Sequence, residues 1–260
     1  MITKLIKYKL TILLIVFSTA LSFAQGQFDQ TDIGIDEHLD TYLPKDIYFT
    51  NLQDERVNLT DLIDKPTVIA FVYFKCPGIC SPLLDGIREV IERSEMKLGK
   101  DYQVITISFD ATDTPELGRE KKKNYTHSMR EDIDTKHWIW LTGDSTNIYK
   151  ATEATGFKFK RQGVDFIHTG AIIAISPKGK ITRYLHGLYF LPFDFKMSII
   201  EANKEKSSPS INKVLEFCFS YDPDGKKYVF NVTRIMGTII IVLAVALFLL
   251  LILKRKKTKV

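Results

Sequence analysis

Two cysteines, Cys76 and Cys80, stand four positions apart in the string KCPGIC. Thiols at this spacing either close a disulfide or, as thiolates, grip one soft cation between them. Pro77 and Gly78 bend the backbone between them, and Leu83, Leu84, Ile87, Val90 and Ile91 then recur at helical spacing. The pair is therefore expected on one face of a helix, in its first turn or just before it, where the macrodipole favours thiolate over thiol. A purely structural disulfide around so small a loop would restrain little of the unfolded chain. Burial as small core hydrophobes is the plain alternative, and three intervening residues is one more than the C-x-x-C redox spacing. Chemistry at a soft metal or a redox pair is the stronger expectation.

The elements around the pair follow from hydrophobic pattern. Residues 67–74 (TVIAFVYF) form a continuous β-branched and aromatic run that leads straight into Cys76, the mark of a strand buried on both faces. Residues 102–109 (YQVITISF) predict a second buried strand, 115–129 a charged helix and 138–141 a third strand. Asp144 is placed to cap a helix reaching Thr155, which Gly156 ends. Residues 170–176 and 180–185 flank Pro177-Lys178-Gly179 as a hairpin, and a last helix is expected over 192–206. Upstream, 25–45 reads as an extended leader and 47–62 as a hairpin followed by a half turn. Strand, helix, strand, helix, strand, helix, hairpin, helix is an α/β layout, and cysteines at the first strand-to-helix junction point to a thioredoxin-like fold: a central mixed sheet flanked by helices.

Copper(I) prefers soft thiolates and accepts imidazole, so a two-cysteine site gains selectivity and redox range from one histidine. The five histidines are His38, His127, His137, His168 and His186. The first three lie in the leader, in a polar helix and at the mouth of a strand, where solvated surface residues are expected. His168 follows residues 161–167 (RQGVDFI), read as a loop, and precedes the strand at 170–176. In a thioredoxin fold that loop packs beside the first helix's N-terminus, close to the cysteines; His186 is the reserve candidate. A peroxidase of related fold would instead need an arginine beside the cysteine, with Arg161 and Arg183 the candidates.

The two ends of the chain differ from its middle. Lys4, Lys7 and Lys9, an apolar run and the small residues near Ala24 read as a secretory signal over 1–24. Residues 235–253 carry no charge and match the bilayer thickness, so one C-terminal transmembrane helix is expected, followed by a basic cytoplasmic tail at 254–260. Between them lie the leader 25–45, the copper-binding domain 46–206 and a juxtamembrane segment 207–234. This places the protein in a bacterial inner membrane with its soluble domain facing the periplasm or exterior. The formal net charge of +5 resides in the tail and the signal, leaving a slightly acidic domain with no nucleic-acid surface. Three cysteines outside the cytoplasm are oxidised unless a metal or a reductant holds them.

TVIAFVYFKCPGICSPLL around the cysteines, SFDATDTPE after the second strand, WIWLTGD before the third helix and HTGAIIAISPKGKITRYLHG around the histidine together resemble the Sco/SenC family of copper-binding oxidase assembly proteins over residues 45–205. Residues 215–223 before the anchor are similar to the branch tethered at its C-terminus. The resemblance implies that Cys76, Cys80 and His168 bind a copper ion, Cu(I) or Cu(II). It implies delivery to the binuclear centre in the copper-bearing subunit of cytochrome c oxidase, with other copper carriers or thiol reductants as further partners. An assembly factor is thus expected, with a thiol-disulfide oxidoreductase, using Cys76 and Cys80 catalytically on the oxidase subunit or other envelope proteins, as the alternative. Family members carry three residues between two acids after the second strand; Asp110 and Asp113 have two between them, so Asp110 is expected to support its loop and not to ligate. Cys218 is expected to pack or to remain an inert thiol.

Overall fold

The structure, a computed structural model, describes residues 33–209, the backbone of 219–222 and 227–230, and helical positions 237, 240, 241, 244 and 245. In chain order the first elements are β1 (Gly34–Ile35), β2 (Tyr48–Asn51), β3 (Arg56–Asn58), β4 (Thr67–Val72) and α1 (Cys80–Arg93). They are followed by β5 (Gln103–Ser108), α2 (Pro115–Thr126), β6 (Trp138–Thr142), α3 (Ser145–Ala154), β7 (Phe157–Gln162) and β8 (Asp165–His168). β9 (Ala171–Ile175), β10 (Ile181–His186) and α4 (Pro192–Asn203) complete the domain, and β11 (Phe219–Asp222) pairs with β12 (Lys227–Phe230) as a hairpin.

The apolar runs at β4 and β5 are buried along their whole length, as strands covered on both faces must be. They pair in parallel, and β5 pairs in parallel with β6. Such pairs need a helical crossover, which α1 and α2 supply. β9 joins the other side of β4 antiparallel and β10 follows it by a hairpin, while β2 and β3 extend the far edge. The sheet order is β10-β9-β4-β5-β6-β2-β3. This is the α/β thioredoxin-like arrangement with a mixed sheet. Two of its buried polar side chains are paired within it: Gln103 Nε2 donates to the Leu62 carbonyl (2.6 Å) and Trp138 Nε1 to Thr106 Oγ1 (2.9 Å), while Tyr102 Oη and Trp140 Nε1 are buried with no hydrogen-bond partner among the described residues.

Caps fall where the sequence places them. Asp144 accepts from the Asn147 amide at the head of α3, and Gly156 follows its end at φ +65°. Two segments differ from expectation. Residues 161–167 are not a loop: β7 and β8 form a hairpin turning at Gly163 and Val164, which ends at His168. Phe157-Lys158-Phe159-Lys160 alternates with period two, and its charged alternate positions hid the strand. The described part of the leader is also not a simple extended arm. β1 pairs with β7, the Asp36 amide donates to the Gly156 carbonyl and the Leu43 amide to that of Gly179. The leader is thus stitched onto the domain by backbone hydrogen bonds.

Among the described residues no helix is long and apolar enough to cross a membrane. The span expected at 235–253 falls largely outside the described residues, as do the signal at 1–24 and Cys218.

A Cβ at Gly156 would lie 1.7 Å from the Asp36 carbonyl oxygen, on a backbone that L side chains adopt at a cost of about 1–3 kcal/mol. Gly156→Ala is expected to lower the thermal midpoint by roughly 5 °C and to expose the leader to limited proteolysis. An unchanged midpoint with an uncleaved leader would contradict the clamp.

Candidate metal centre

β4 delivers the chain to the carboxyl end of the sheet, where open α/β folds place their ligands. There the backbone turns: the Cys76 amide donates to the Tyr73 carbonyl (3.3 Å), and α1 starts only at Cys80, with Ile79 as N-cap. The two cysteines thus lie in the first turn of the helix and just before it, as expected, but with Cys76 outside the helix they do not share a helical face. Cys80 is the first helical residue and Cys76 sits in the turn ahead of it, because Pro77 and Gly78 intervene. With no side chain capping α1, its first amides are free to face a sulfur. The Gly78 amide donates to Cys76 Sγ (3.4 Å), and the Cys80 amide and thiol also stabilise that sulfur's charge.

His168 arrives from the β7–β8 hairpin. Its Nε2 lies 3.3 Å from Cys80 Sγ, and its Nδ1 lies 3.0 Å from the Thr169 carbonyl. A carbonyl only accepts, which assigns a ring proton to Nδ1 and turns Nε2 toward the sulfurs. The ligand atoms of Cys76, Cys80 and His168 all lie within 4.8 Å of one another, the one such group of three among the described residues. Cys80 is fully buried, and Cys76 and His168 are each 8% exposed, whereas Lys75, Pro77 and Gly78 on the lip are exposed. The site is dry yet one side chain deep.

The two thiols differ in proton affinity. Hydrogen bonding from Cys80, assisted by His168 and the turn amides against the opposing effect of burial, lowers Cys76 to about 3. Burial first, then the adjacent Cys76 sulfur, push Cys80 far up. Of the two sulfurs, Cys80 is thus the one that holds a proton and Cys76 the one that carries charge. Two thiols and an imidazole converging with so few protons form a donor set that suits a soft monovalent or borderline divalent cation.

Aromatic packing holds the hairpin against the turn. Phe109 meets His168 edge-on at 5.0 Å, and Tyr73 meets both Phe109 (5.4 Å) and Phe166 (5.2 Å). Tyr73 Oη donates toward Asp165 Oδ1 (3.4 Å) and lies within hydrogen-bonding reach of Cys76; burial raises its pKa, keeping that proton in place. Asp113 Oδ2 accepts from the Phe74 amide (2.6 Å) and Ser108 Oγ (2.7 Å), tying the turn before Cys76 to the end of β5. Asp110 supports its own loop through Thr112, as expected. Tyr73, Phe109, Phe166 and Asp113 were not read from the sequence as parts of the site. The one signal was the density of aromatics at 73–74, 109 and 157–166.

The other candidates lie elsewhere. His186 pairs with Glu37 (2.8 Å), His38 Nδ1 contacts the Ala154 carbonyl, His127 is exposed and His137 faces Asp134. Arg161 stacks on Phe166 and Arg183 pairs with Glu201, so neither arginine serves the cysteines as a peroxidase would require.

A folded-state pKa below the unfolded value, as for Cys76, contributes stability above the unfolded value of about 8.5. That contribution is lost progressively as the pH falls toward 3. Cys80, shifted upward, loses its contribution as the pH rises instead. Iodoacetamide is expected to label Cys76 of the reduced protein at a rate nearly constant from about pH 5 to about pH 8, with Cys80 spared. Cys80→Ala removes the largest cause and should restore a titration within that window. A parent rate climbing tenfold per pH unit would contradict the assignment.

A family model described as SCO1/SenC matches residues 39–191. No curated protein matches the chain. Among solved structures, a proposed electron transfer protein from Aquifex aeolicus VF5 is 29% identical with a TM-score of 0.58, covering 64% of this chain and 95% of that one. A SCO1/SenC family lipoprotein from Bacillus anthracis str. Ames is 23% identical with a TM-score of 0.52, covering 64% and 95%. ScoI from Arabidopsis thaliana with copper bound is 18% identical with a TM-score of 0.51, covering 61% and 96%. The latter two share the fold. With more than half its length matched by the family model and its cysteines and histidine brought together at the end of β4, the chain belongs to the SCO1/SenC family.

Proposed function

We propose that this protein is a copper carrier for assembly of the binuclear copper centre of cytochrome c oxidase, holding the ion through Cys76, Cys80 and His168. The observation that carries the reading is the convergence of two sulfurs and His168 Nε2 within 4.8 Å in a buried pocket with an exposed lip. Copper is the metal held by the solved Arabidopsis thaliana relative, and the softness of this donor set agrees with it. Loading releases the Cys80 proton, whereas Cys76 is already a thiolate and gives up none. Delivery is an exchange of donors: the acceptor's ligands approach over Pro77 and Gly78 as the protein's own let go. The uncharged run at 235–253 would confine the domain to the bilayer of a membrane-bound client and raise its local concentration there. The signal at 1–24 would place it on the outer side.

The unequal thiols favour a second reading, a thiol-disulfide oxidoreductase acting on the oxidase subunit or other envelope proteins. Cys76 thiolate would attack a client disulfide, forming a mixed disulfide and releasing one client thiolate. Cys80 would then lose its proton and attack Cys76, closing the intramolecular disulfide and releasing the second client thiolate. Two electrons pass from the pair to the client.

The reduced parent is expected to bind about one copper and to release about one proton per ion near pH 7. Binding should be lost in Cys76→Ser/Cys80→Ser and severely weakened in His168→Ala, which should still exchange disulfides. Undiminished copper in His168→Ala would remove it from the ligand set. A reduced parent without tight copper would sink the carrier reading and leave thiol exchange.

A further inference from the structure

The end of the domain that holds the three candidate ligands also presents an apolar loop that they do not use. Between β10 and the first turn of α4, Tyr189, Leu191 and Phe193 are 69%, 68% and 70% exposed. Large apolar side chains that stand out together in this way mark a surface that another molecule covers. The loop is held in place by the same elements as the ligands. The Gly187 amide donates to the Gly170 carbonyl (2.9 Å), and Leu188 crosses both Gly170 and Gly86. A Cβ on Gly170 would fall 2.4 Å from the Leu188 side chain, and one on Gly86 would fall 1.9 Å from the Leu188 carbonyl. Gly170 lies two residues past His168. Gly86 lies in the helix that opens at Cys80, about 9 Å further along its axis. A docked partner would therefore meet the ligands at a fixed offset.

Across the cysteines from this loop the exposed charges Lys75 and Arg161 are positive, against half-buried Asp110 and Asp165. Between the two flanks lies the exposed Pro77-Gly78 lip, with open space over Gly78. We infer that Tyr189, Leu191 and Phe193 form the docking surface for the protein that exchanges copper with this site. That partner carries soft metal donors with an apolar patch on one side and carboxylates on the other. The inference rests on the carrier reading above. A bilayer is the other occupant that an aromatic loop suits. Laid across this end it would cover the Pro77-Gly78 opening and shut the ligands off from any acceptor.

The test uses the full chain in detergent micelles, loaded with Cu(I), as parent and as Tyr189→Ser/Leu191→Ser/Phe193→Ser. Copper is offered to bathocuproine disulfonate, a small chelator, and to the apo copper-bearing domain of an oxidase subunit. The chelator should strip both forms at one rate, while transfer to the protein acceptor should need at least about tenfold more acceptor in the variant. Equal transfer to the protein by both forms overturns the docking surface, as does an equal slowing toward chelator and protein, which marks damage to the site itself. If the parent reduces the acceptor's disulfide but never loads it, the carrier reading fails on its own, and the same comparison is made on the reduction rate. A parent that does neither overturns both. Quenching of Phe193→Trp fluorescence by brominated phospholipid in reconstituted vesicles would assign the loop to lipid and overturn the proposal; no quenching is expected.

Discussion

Two sulfurs and an imidazole nitrogen brought within 4.8 Å of one another form the constraint around which this end of the molecule is organised. Left to solvent, a thiolate and a thiol would titrate independently near the ordinary thiol value. Here the turn amides, the Cys80 thiol and the uncapped head of α1 all favour charge on Cys76, and burial holds the proton on Cys80. The Thr169 carbonyl turns the third donor, His168 Nε2, toward them. These three donors come from three pieces of chain: a turn, a helix and a hairpin. Their meeting depends on the packing of those pieces on one another.

That packing is apolar and aromatic. β4, β5 and β9 are buried throughout and fix where the turn begins. Phe109, Phe166 and Tyr73 then lock the His168 hairpin over it, each such pair contributing about 0.5–1.5 kcal/mol beyond burial. Asp113 anchors the other side of the turn. On the proposed carrier reading, a packed frame around an exposed lip would let a soft ion be held tightly and still be reached by a second set of donors. The order lies in the ligands' support and the access lies at Pro77 and Gly78.

Much of this was legible in the sequence where a residue's reason for being present is local. The continuous runs that became β4 and β5, the Asp144 cap, the Gly156 stop and the pairing of Cys76 with Cys80 all follow from short-range pattern. His168 was legible because it stands between two elements whose places in an α/β sheet are constrained. What depends on distant partners was not. The hairpin that carries His168 has lysines on its alternate positions, so its period of two is weak as a hydrophobic signal. The leader gains its order from backbone bonds to Gly156 and Gly179, which leave no mark on side-chain type. Asp113 looks like any loop acid before a helix until the Phe74 amide and Ser108 are seen to converge on it. The Pro77-Gly78 bend between the cysteines was legible as well, but which of the two opens the helix depends on where the turn after β4 ends, and the structure gives that place to Cys80.

The central claim is that one copper is coordinated by both sulfurs and His168 together. The most direct measurement is X-ray absorption at the copper edge on the reduced, copper-loaded full chain. The account predicts a first shell of two sulfur scatterers and one imidazole nitrogen, with the imidazole component absent in His168→Ala. A shell without sulfur, or one unchanged by that substitution, would contradict it.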